Sequence, residues 1–332
     1  MSAAVPPAPW LQAALQRVLG RQGHAWLLHG PSGLGQFDLA LAVARAFLCE
    51  QPGAQGVACG CCVSCHAIDV HTHADLCVLM PEVQALALGW PLQESVQADL
   101  DAKKRKPSKE IRVEALRAAI EFAQSTSARG RGKVILLYPA ERMNAISANA
   151  LLKTLEEPPG AVRFVLASEA AHVLPATIRS RCQALRMPWP DAAAAHAWLV
   201  HQGLDPALAH SALRAAGGRA HEALVLAPLA DQWARLPRAV QQADAQAFKD
   251  WSAAQVLDLL QKLCHDLMLR CAGAPPRFFD AADLPAPTPS WSALDRWVQA
   301  LMQARRTVEH PYNPGLQLEA LLAQAAALWR SD

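Results

Sequence analysis

In the first part of the chain, apolar residues form short continuous runs separated by stretches of helical spacing. The runs predict five strands, at residues 25–29, 76–80, 133–137, 163–167 and 182–187. Continuous runs, unlike alternating ones, are typical of strands that are covered on both faces. Between them, apolar residues recur three and four positions apart over 37–48 and 148–155, and Pro158-Pro159 ends the second helix. Strands that alternate with helices predict a parallel sheet with right-handed crossovers.

The pattern changes after Pro188-Trp189-Pro190. Residues 191–332 show helical spacing without a convincing strand, and Gly217-Gly218 and proline-rich stretches interrupt it. Near the end, apolar residues share one helical face: Leu318, Leu321, Leu322, Ala325 and Trp329. We therefore predict an α/β domain at residues 1–188, followed by an all-helical half that divides near residue 228.

Composition narrows the class of protein. The chain has 332 residues, of which 52% are hydrophobic and 18% charged, which allows two or three domains and excludes a mainly disordered protein. No apolar run approaches the roughly 18 residues of a membrane span. The N-terminal residues MSAAVPPAPW lack the basic start and apolar core of a secretory signal. Because the net charge is only +2, the overall charge of the chain does not attract it to nucleic acid. We expect a cytoplasmic, multidomain protein that has no membrane partner.

The segment after the first predicted strand is similar to a phosphate-binding loop with two substitutions. Such a loop reads G-x-x-x-x-G-K-[ST] between a strand and a helix. Here Gly30 and Gly35 occupy the glycine positions, but Gln36 stands in place of the lysine and Phe37 in place of the hydroxyl that binds Mg²⁺. The charge that contacts the outer phosphates and the oxygen that binds the metal are therefore both missing.

A second segment also lacks a residue that ATP hydrolysis requires. ATPases place an acidic residue at the end of a neighbouring strand to hold Mg²⁺. The predicted strand at 133–137 ends instead in Tyr138-Pro139, and Glu141 comes about one turn too late. We expect that no ATP is bound and that the chain alone has no catalytic activity. The alternative is an active ATPase with an atypical phosphate loop.

Four cysteines predict a structural zinc site. Cys59, Cys62 and Cys65 have the spacing C-x-x-C-x-x-C, and Cys49, near the end of the preceding helix, supplies a fourth thiolate. Thiolates at this spacing can ligate one tetrahedral metal ion. Because no export signal is present, the nine cysteines do not indicate a disulfide framework. A site with four thiolates has no position for a reactive water, so zinc would clamp the loop rather than catalyse.

The ligand set has alternatives. Cys61 could exchange with Cys62, and three nearby histidines could replace a cysteine: His66, His71 and His73. The rival is an iron–sulfur cluster, whose run reads C-x2-C-x2-C-x3-C-P. That run requires a cysteine where this chain has Asp69. The spacing therefore favours zinc.

Together, these segments resemble the clamp-loader AAA+ family of bacterial DNA polymerase III. Residues 24–35 look like the opening strand and loop of these subunits, and a cysteine module after the next helix is typical of them. Residues 144–159 (NAISANALLKTLEEPP) are close to the most recognisable segment of the family. Two motifs are specific, namely 149–159 within this segment and Ser180-Arg181-Cys182, the S-R-C motif of the family. The resemblance covers residues 1–190 well and the rest of the chain thinly.

The resemblance implies a fold and a place in a complex. The implied fold is an AAA+ P-loop-like α/β domain at 1–188 with a zinc module at 49–65, a small helical lid at 189–227 and a helical collar at 228–332. The motor subunits, gamma and tau, keep the loop lysine and the acidic metal ligand that this chain lacks. The chain therefore resembles the non-hydrolysing subunit of the family. The implied partners are the gamma/tau and delta subunits and, through the complex, the sliding clamp and primed DNA.

The resemblance also implies a role for Arg181. In the family, the S-R-C arginine reaches into the ATP site of the neighbouring subunit and acts in trans as an arginine finger. A guanidinium group there stabilises the charge that grows on the γ-phosphate during phosphoryl transfer. Without the motif, an arginine that caps its own sheet would be the simpler interpretation. The chain is thus expected to promote hydrolysis by a neighbour within a DNA-directed DNA polymerase holoenzyme.

Overall fold

The computed structural model describes residues 8–307 and 313–330. The chain divides into two compact units, residues 1–194 and 195–332. All strands of the described residues lie in the first unit, and the described part of the second unit contains helices without a strand. The predicted order, an α/β unit followed by an all-helical unit, is confirmed. The finer division of the helical part into a lid at 189–227 and a collar at 228–332 stays a prediction.

From residue 8 to residue 191, the first unit contains five strands and eight α-helices. The strands are β1 (Ala25–His29), β2 (Leu76–Leu79), β3 (Lys133–Leu137), β4 (Val162–Ser168) and β5 (Gln183–Arg186). The helices are α1 (Pro9–Leu19), α2 (Gln36–Leu48), α3 (Val63–Asp69), α4 (Glu82–Ala87), α5 (Glu94–Asp101), α6 (Val113–Gln124), α7 (Ala145–Glu156) and α8 (Ala176–Arg179). All five predicted strands are present, and β1 and β3 have the predicted ends.

The burial of the inner strands explains why the sequence predicted them. Every residue of β3 is buried, and six of the seven residues of β4 are buried. The residues of one face pack with α6 and α7 in a core that includes Ile135, Leu137 and Phe164. On the other face, Val134 and Leu136 are equally buried. Since both faces are covered, β3 and β4 each read as a continuous apolar run rather than an alternating one.

The strand order brings three loops to one edge of the sheet. The strands lie in the order β2-β3-β4-β1-β5, and all neighbouring pairs are parallel. In this register, His29 at the end of β1 pairs with Ser168 at the end of β4. Because parallel strands end at the same edge, the loop after β1 lies near the residues that follow β3 and β4. The edge therefore collects loop 30–35, Tyr138 and Glu169.

The helix α7 carries the sequence motif at 144–159 and has well-defined ends. Asn144 caps its start, because the side-chain oxygen accepts a hydrogen bond from the N–H of Ser147 at 2.9 Å. At the other end, Glu157 leaves the helical conformation, with φ of −126° and ψ of 78°, because it precedes Pro158. Glu156 is therefore the last helical residue.

The second unit is built from helices joined by irregular segments. The helices that follow the sheet are α9 (Ala192–His201), which begins at the end of the first unit, α10 (Pro206–Ala215), α11 (Ala220–Leu226), α12 (Ala230–Trp233), α13 (Leu236–Gln241), α14 (Ala253–Cys271), α15 (Trp291–Thr307) and α16 (Pro314–Ala326). The longest of these, α14, begins with a capping box of Ser252 and Gln255. Buried Asp266 of α14 accepts hydrogen bonds from the N–H groups of Phe278 and Phe279 at 2.7 and 2.9 Å. None of the described helices combines the length and apolarity that crossing a bilayer requires.

Candidate functional site

Four thiols of the predicted zinc site converge beside α2 and α3. Cys49 directly follows α2, Cys59 and Cys62 lie in the connecting segment, and Cys65 lies in the first turn of α3. Their sulfur atoms all lie within 4.8 Å of one another. The Cys49 sulfur is 3.5 Å from that of Cys59 and 3.8 Å from that of Cys62. Sulfur ligands of a tetrahedral zinc ion are about 3.8 Å apart, given a Zn–S bond of ~2.3 Å. The donor set therefore fits a thiolate-bound metal.

Backbone N–H groups point at these sulfur atoms. Cys59 N–H donates to the Cys49 sulfur at 3.3 Å, and Cys62 N–H donates to the Cys59 sulfur at 3.3 Å. The N–H groups of Cys61 and Cys62 lower the pKa of Cys59 to about 6, whereas burial raises the pKa of Cys49 and Cys65. Since a metal binds the thiolate, the site can be filled only with loss of these protons.

The alternative ligands lie outside the group of four. Cys61 and His66 are exposed. The ring of His71 packs on that of Trp90 at a tilt of 33°, with centroids 4.0 Å apart. The side chain of His73 is buried and hydrogen-bonds a serine hydroxyl and a backbone N–H. The structure thus brings together the four cysteines that the spacing favours, Cys49, Cys59, Cys62 and Cys65, and gives His71 and His73 other contacts.

The amide of Gln36 closes the loop between β1 and α2 on itself. Its Nε2 donates to the carbonyl oxygens of Gly30 at 3.0 Å and Pro31 at 2.6 Å, and its Oε1 accepts from Leu34 N–H at 3.3 Å. Gln36 is only 1% exposed, and Gly35 keeps the left-handed φ of 87°. A phosphate-binding loop offers its N–H groups to the anion. Here the side chain takes one of these N–H groups.

Aromatic rings pack beside the loop, where a metal-binding hydroxyl and acid would face each other in an ATPase. Phe37, in the first turn of α2, packs on Tyr138, at the end of β3, with ring centroids 5.3 Å apart. Trp90 packs edge-on against Phe37 at 5.7 Å. Two of the three substituted positions, Phe37 and Tyr138, are thus in contact. Burial, and next the charge of Glu169, raise the pKa of Tyr138, so that the phenol stays protonated.

The acids near Tyr138 are hydrogen-bonded at the same edge of the sheet. The Tyr138 hydroxyl donates to the carboxylate of Glu169 at 2.8 Å. Glu141 lies in a short 3-10 turn, Ala140–Arg142, and its two carboxylate oxygens accept from the N–H of Glu169 at 3.0 and 3.3 Å. The carboxylate of Glu141 therefore fixes the chain after β4.

Arg181 lies in the turn between α8 and β5, and its side chain is 32% exposed. Its Nε donates to Oε1 of Glu156 at 2.5 Å, and one terminal nitrogen bonds the same oxygen. The other terminal nitrogen donates to the carbonyl oxygen of Thr177 at 2.9 Å. The guanidinium group is therefore held at the surface of the α/β unit by the last residue of α7.

Sequence reasoning missed two contacts of these sites. Glu156 lies inside the motif at 144–159, so the motif was a signal for its importance, but nothing local indicated its contact with Arg181. Trp90 lies in the irregular segment between α4 and α5 and carries no motif. Only the fold reveals that its ring covers Phe37.

A family model and individual relatives of known name indicate the same family for this chain. The family model described as "DNA polymerase III, delta subunit" matches residues 10–191. The chain is 39% identical over 213 residues to the DNA polymerase III subunit delta' of Pseudomonas aeruginosa, a match that covers 63% of this chain and 58% of that protein. It is 31% identical over 282 residues to the Escherichia coli subunit delta', and this match covers 76% of each chain. The matched region thus spans little more than half of the first relative and about three quarters of the second.

Other matches carry the names of the tau and gamma subunits of DNA polymerase III. The chain is 34% identical over 214 residues to the DNA polymerase III subunit tau of Salmonella typhimurium, which covers 63% of this chain and 29% of that protein. Among solved structures, a DNA polymerase III gamma-subunit-related protein of Thermotoga maritima aligns over 96% of this chain and 99% of its own, with a TM-score of 0.48 and 16% identity.

Proposed function

Because the chain belongs to the DNA polymerase III delta-prime family, we propose that it is the non-hydrolysing subunit of a clamp loader. In this role it binds no ATP and donates Arg181 to the ATP site of a neighbouring gamma or tau subunit. Together with a delta subunit, the complex opens a sliding clamp and places it on primed DNA during replication. The chain alone is not an enzyme and works as part of the polymerase holoenzyme in the cytoplasm.

The absence of nucleotide chemistry is supported by the contact between Phe37 and Tyr138. A working site needs a hydroxyl and a carboxylate at these two places, so that Mg²⁺ can bridge the phosphates. The Phe37 ring carries no oxygen, and the Tyr138 hydroxyl stays protonated and donates to Glu169. The loop itself is occupied by the amide of Gln36, which bonds the backbone that would surround the phosphates. An ATPase with an atypical loop, the alternative function, would have to rearrange both features.

The role of Arg181 is supported by its exposure and its partners. Its guanidinium group is at the surface of the α/β unit, and all its described partners are an exposed carboxylate and groups of its own turn. A planar fork of N–H donors matches the oxygens of a phosphate. An arginine that only caps its own sheet would instead be bonded to strand carbonyls, and no such bond is among the described contacts of Arg181.

We assign the four-cysteine cluster to a structural zinc ion. When bound, zinc would supply four metal–sulfur bonds that join the end of α2 to the start of α3. The chain's own N–H···S hydrogen bonds orient Cys49, Cys59 and Cys62 toward such an ion. Because four thiolates fill the coordination of a tetrahedral ion, the ion would stabilise the connection between the two helices.

The experiment is reconstitution of the clamp loader with the Arg181→Ala chain. We expect the complex to assemble and bind ATP normally, but DNA-stimulated hydrolysis at the neighbouring site to fall strongly, since fingers in GTPases are worth about 10³–10⁵ in rate. Clamp loading should fall with it. The matched control is Arg179→Ala, which removes an exposed arginine two residues away. Equal ATPase and clamp-loading rates for the wild-type and Arg181→Ala complexes would refute the proposed role.

A further inference from the structure

We propose that Glu156 is the positioning residue of the arginine finger: its carboxylate holds one edge of the Arg181 guanidinium, so that the end of the guanidinium faces outward toward a phosphate. The inference rests on the proposed function, because it concerns how this chain presents its finger. In this role Glu156 acts through Arg181 alone.

The bonding pattern of Arg181 carries the inference. A guanidinium group has a side edge, formed by Nε and one terminal nitrogen, and an end, formed by both terminal nitrogens. Glu156 Oε1 accepts from Nε at 2.5 Å and from one terminal nitrogen. The side edge is therefore turned toward α7. Because the group is planar and rigid, fixing this edge also fixes the direction of the end.

A second partner prevents rotation about the Glu156 contact. The other terminal nitrogen donates to the carbonyl oxygen of Thr177 at 2.9 Å and lies 3.4 Å from the hydroxyl of Ser180. The backbone of Arg181 is anchored as well, since its N–H donates to the carbonyl of Ile178 at 3.2 Å. The guanidinium group is thus tied at two of its nitrogens to α7 and at the third to α8.

The location of Glu156 fixes its backbone, so that its carboxylate can hold Arg181 in one orientation. It is the last residue of α7, where the following prolines end the helix, so that its backbone is set by the packing of α7 in the sheet core. The exposed fractions of the two side chains are 46% for Glu156 and 32% for Arg181. Exposed ion pairs contribute little to stability. Loss of Glu156 should therefore disturb the orientation of Arg181 without disturbing the fold.

The expected effect follows from the freedom that Arg181 regains. An arginine without its carboxylate partner samples several rotamers and must be ordered again each time it meets a phosphate. The entropy lost when a long side chain is ordered at an interface reduces the effect of that side chain on the rate by about two- to tenfold. Glu156→Ala should lower the rate by this factor. Glu156→Gln retains an oxygen that can accept from Nε, so that it should restore part of the rate.

The test measures single-turnover, DNA-stimulated ATP hydrolysis by the reconstituted clamp loader. We expect Glu156→Ala to be about two- to tenfold slower than wild type, Glu156→Gln to be intermediate, and Glu157→Ala, which removes the neighbouring exposed glutamate, to match wild type. The double variant Arg181→Ala/Glu156→Ala should be no slower than Arg181→Ala, because Glu156 acts only through the finger. Thermal melts of the chains check that each variant is folded.

The outcomes separate the inference from the function on which it rests. If Arg181→Ala is silent, the finger itself is refuted. If Arg181→Ala is slow but Glu156→Ala and Glu157→Ala are equal, only the positioning role is refuted. A loss for Glu156→Ala that persists in the Arg181→Ala background also refutes it, since the effect would then be structural.

Discussion

The substitution Asp75→Ala removes a buried carboxylate that accepts several hydrogen bonds just before β2. Asp75 is fully buried just before β2. Its oxygens accept from the N–H groups of Ala128 and Arg129 at 2.8 and 2.9 Å, and from the hydroxyl of Ser127 at 3.0 Å. The ammonium group of Lys133 lies 3.3 Å away. The carboxylate therefore ties the loop before β3 to the start of β2.

The expected cost follows from what the substitution leaves behind. The side chains of Lys133 and Asp75 are 5% and 0% exposed, so Asp75→Ala leaves a buried ammonium group without its counter-charge. Removing one partner of a buried ion pair typically costs about 3–5 kcal/mol. The ring of Phe122, 3.9 Å from the Lys133 nitrogen, stays in place and offsets part of this cost. We expect the free energy of unfolding of the α/β unit to fall by about 3 kcal/mol or more.

The measurement is urea unfolding of the full chain, with hydrogen exchange of the β3 peptide identifying the transition of the α/β unit. Asp99→Ala is the matched control, because Lys104 and Asp99 are also 3.3 Å apart but are 70% and 44% exposed. An exposed pair of this kind contributes about 0–1 kcal/mol. Equal losses for the two variants would refute the argument from burial. Lys133→Met in the Asp75→Ala background should recover part of the loss, since it removes the orphaned charge.

The same carboxylate predicts a pH dependence. Burial alone would raise the pKa of Asp75, but the hydrogen bonds from Ala128, Arg129, Ser127 and Lys133 outweigh it, and the pKa lies below its ordinary value. A depressed pKa in the folded state means that the stabilisation is present above the unfolded-state pKa of about 4 and is lost as the pH falls below it. The difference in stability between wild type and Asp75→Ala should therefore shrink in acid. A difference that stays constant well below pH ~4 would contradict this.

Two further predictions concern the zinc site and the loop. Metal analysis of the purified chain should find one zinc ion, which Cys59→Ser releases and the matched variant Cys61→Ser retains; equal zinc content in both variants would contradict the ligand set. Titration with a fluorescent ATP analogue and Mg²⁺ should show no binding to the wild-type chain. Gln36→Lys should not create binding, because Phe37 and Tyr138 still pack where the metal would lie; saturable binding by either chain would support the alternative ATPase.

Local sequence patterns were sufficient wherever the physical cause was local. The three inner strands, β1, β3 and β4, are covered on both faces, so a continuous apolar run marked each of them, and the ends of β1 and β3 agree with the structure. The positions of the cysteines likewise follow from spacing, since a metal ion needs sulfur atoms within a few ångströms. The substitutions at Gln36 and Phe37 could be read from the loop motif alone.

The tertiary structure decided which distant side chains meet. The parallel order β2-β3-β4-β1-β5 places the ends of β1 and β3 at one edge, which puts Phe37 against Tyr138 across about 100 positions of sequence. The contact of Glu156 with Arg181 depends in the same way on where α7 and α8 pack. The spacing of apolar residues indicates only which face of each helix or strand is buried. Contacts between distant side chains depend on strand order and register, which no single segment of the sequence determines.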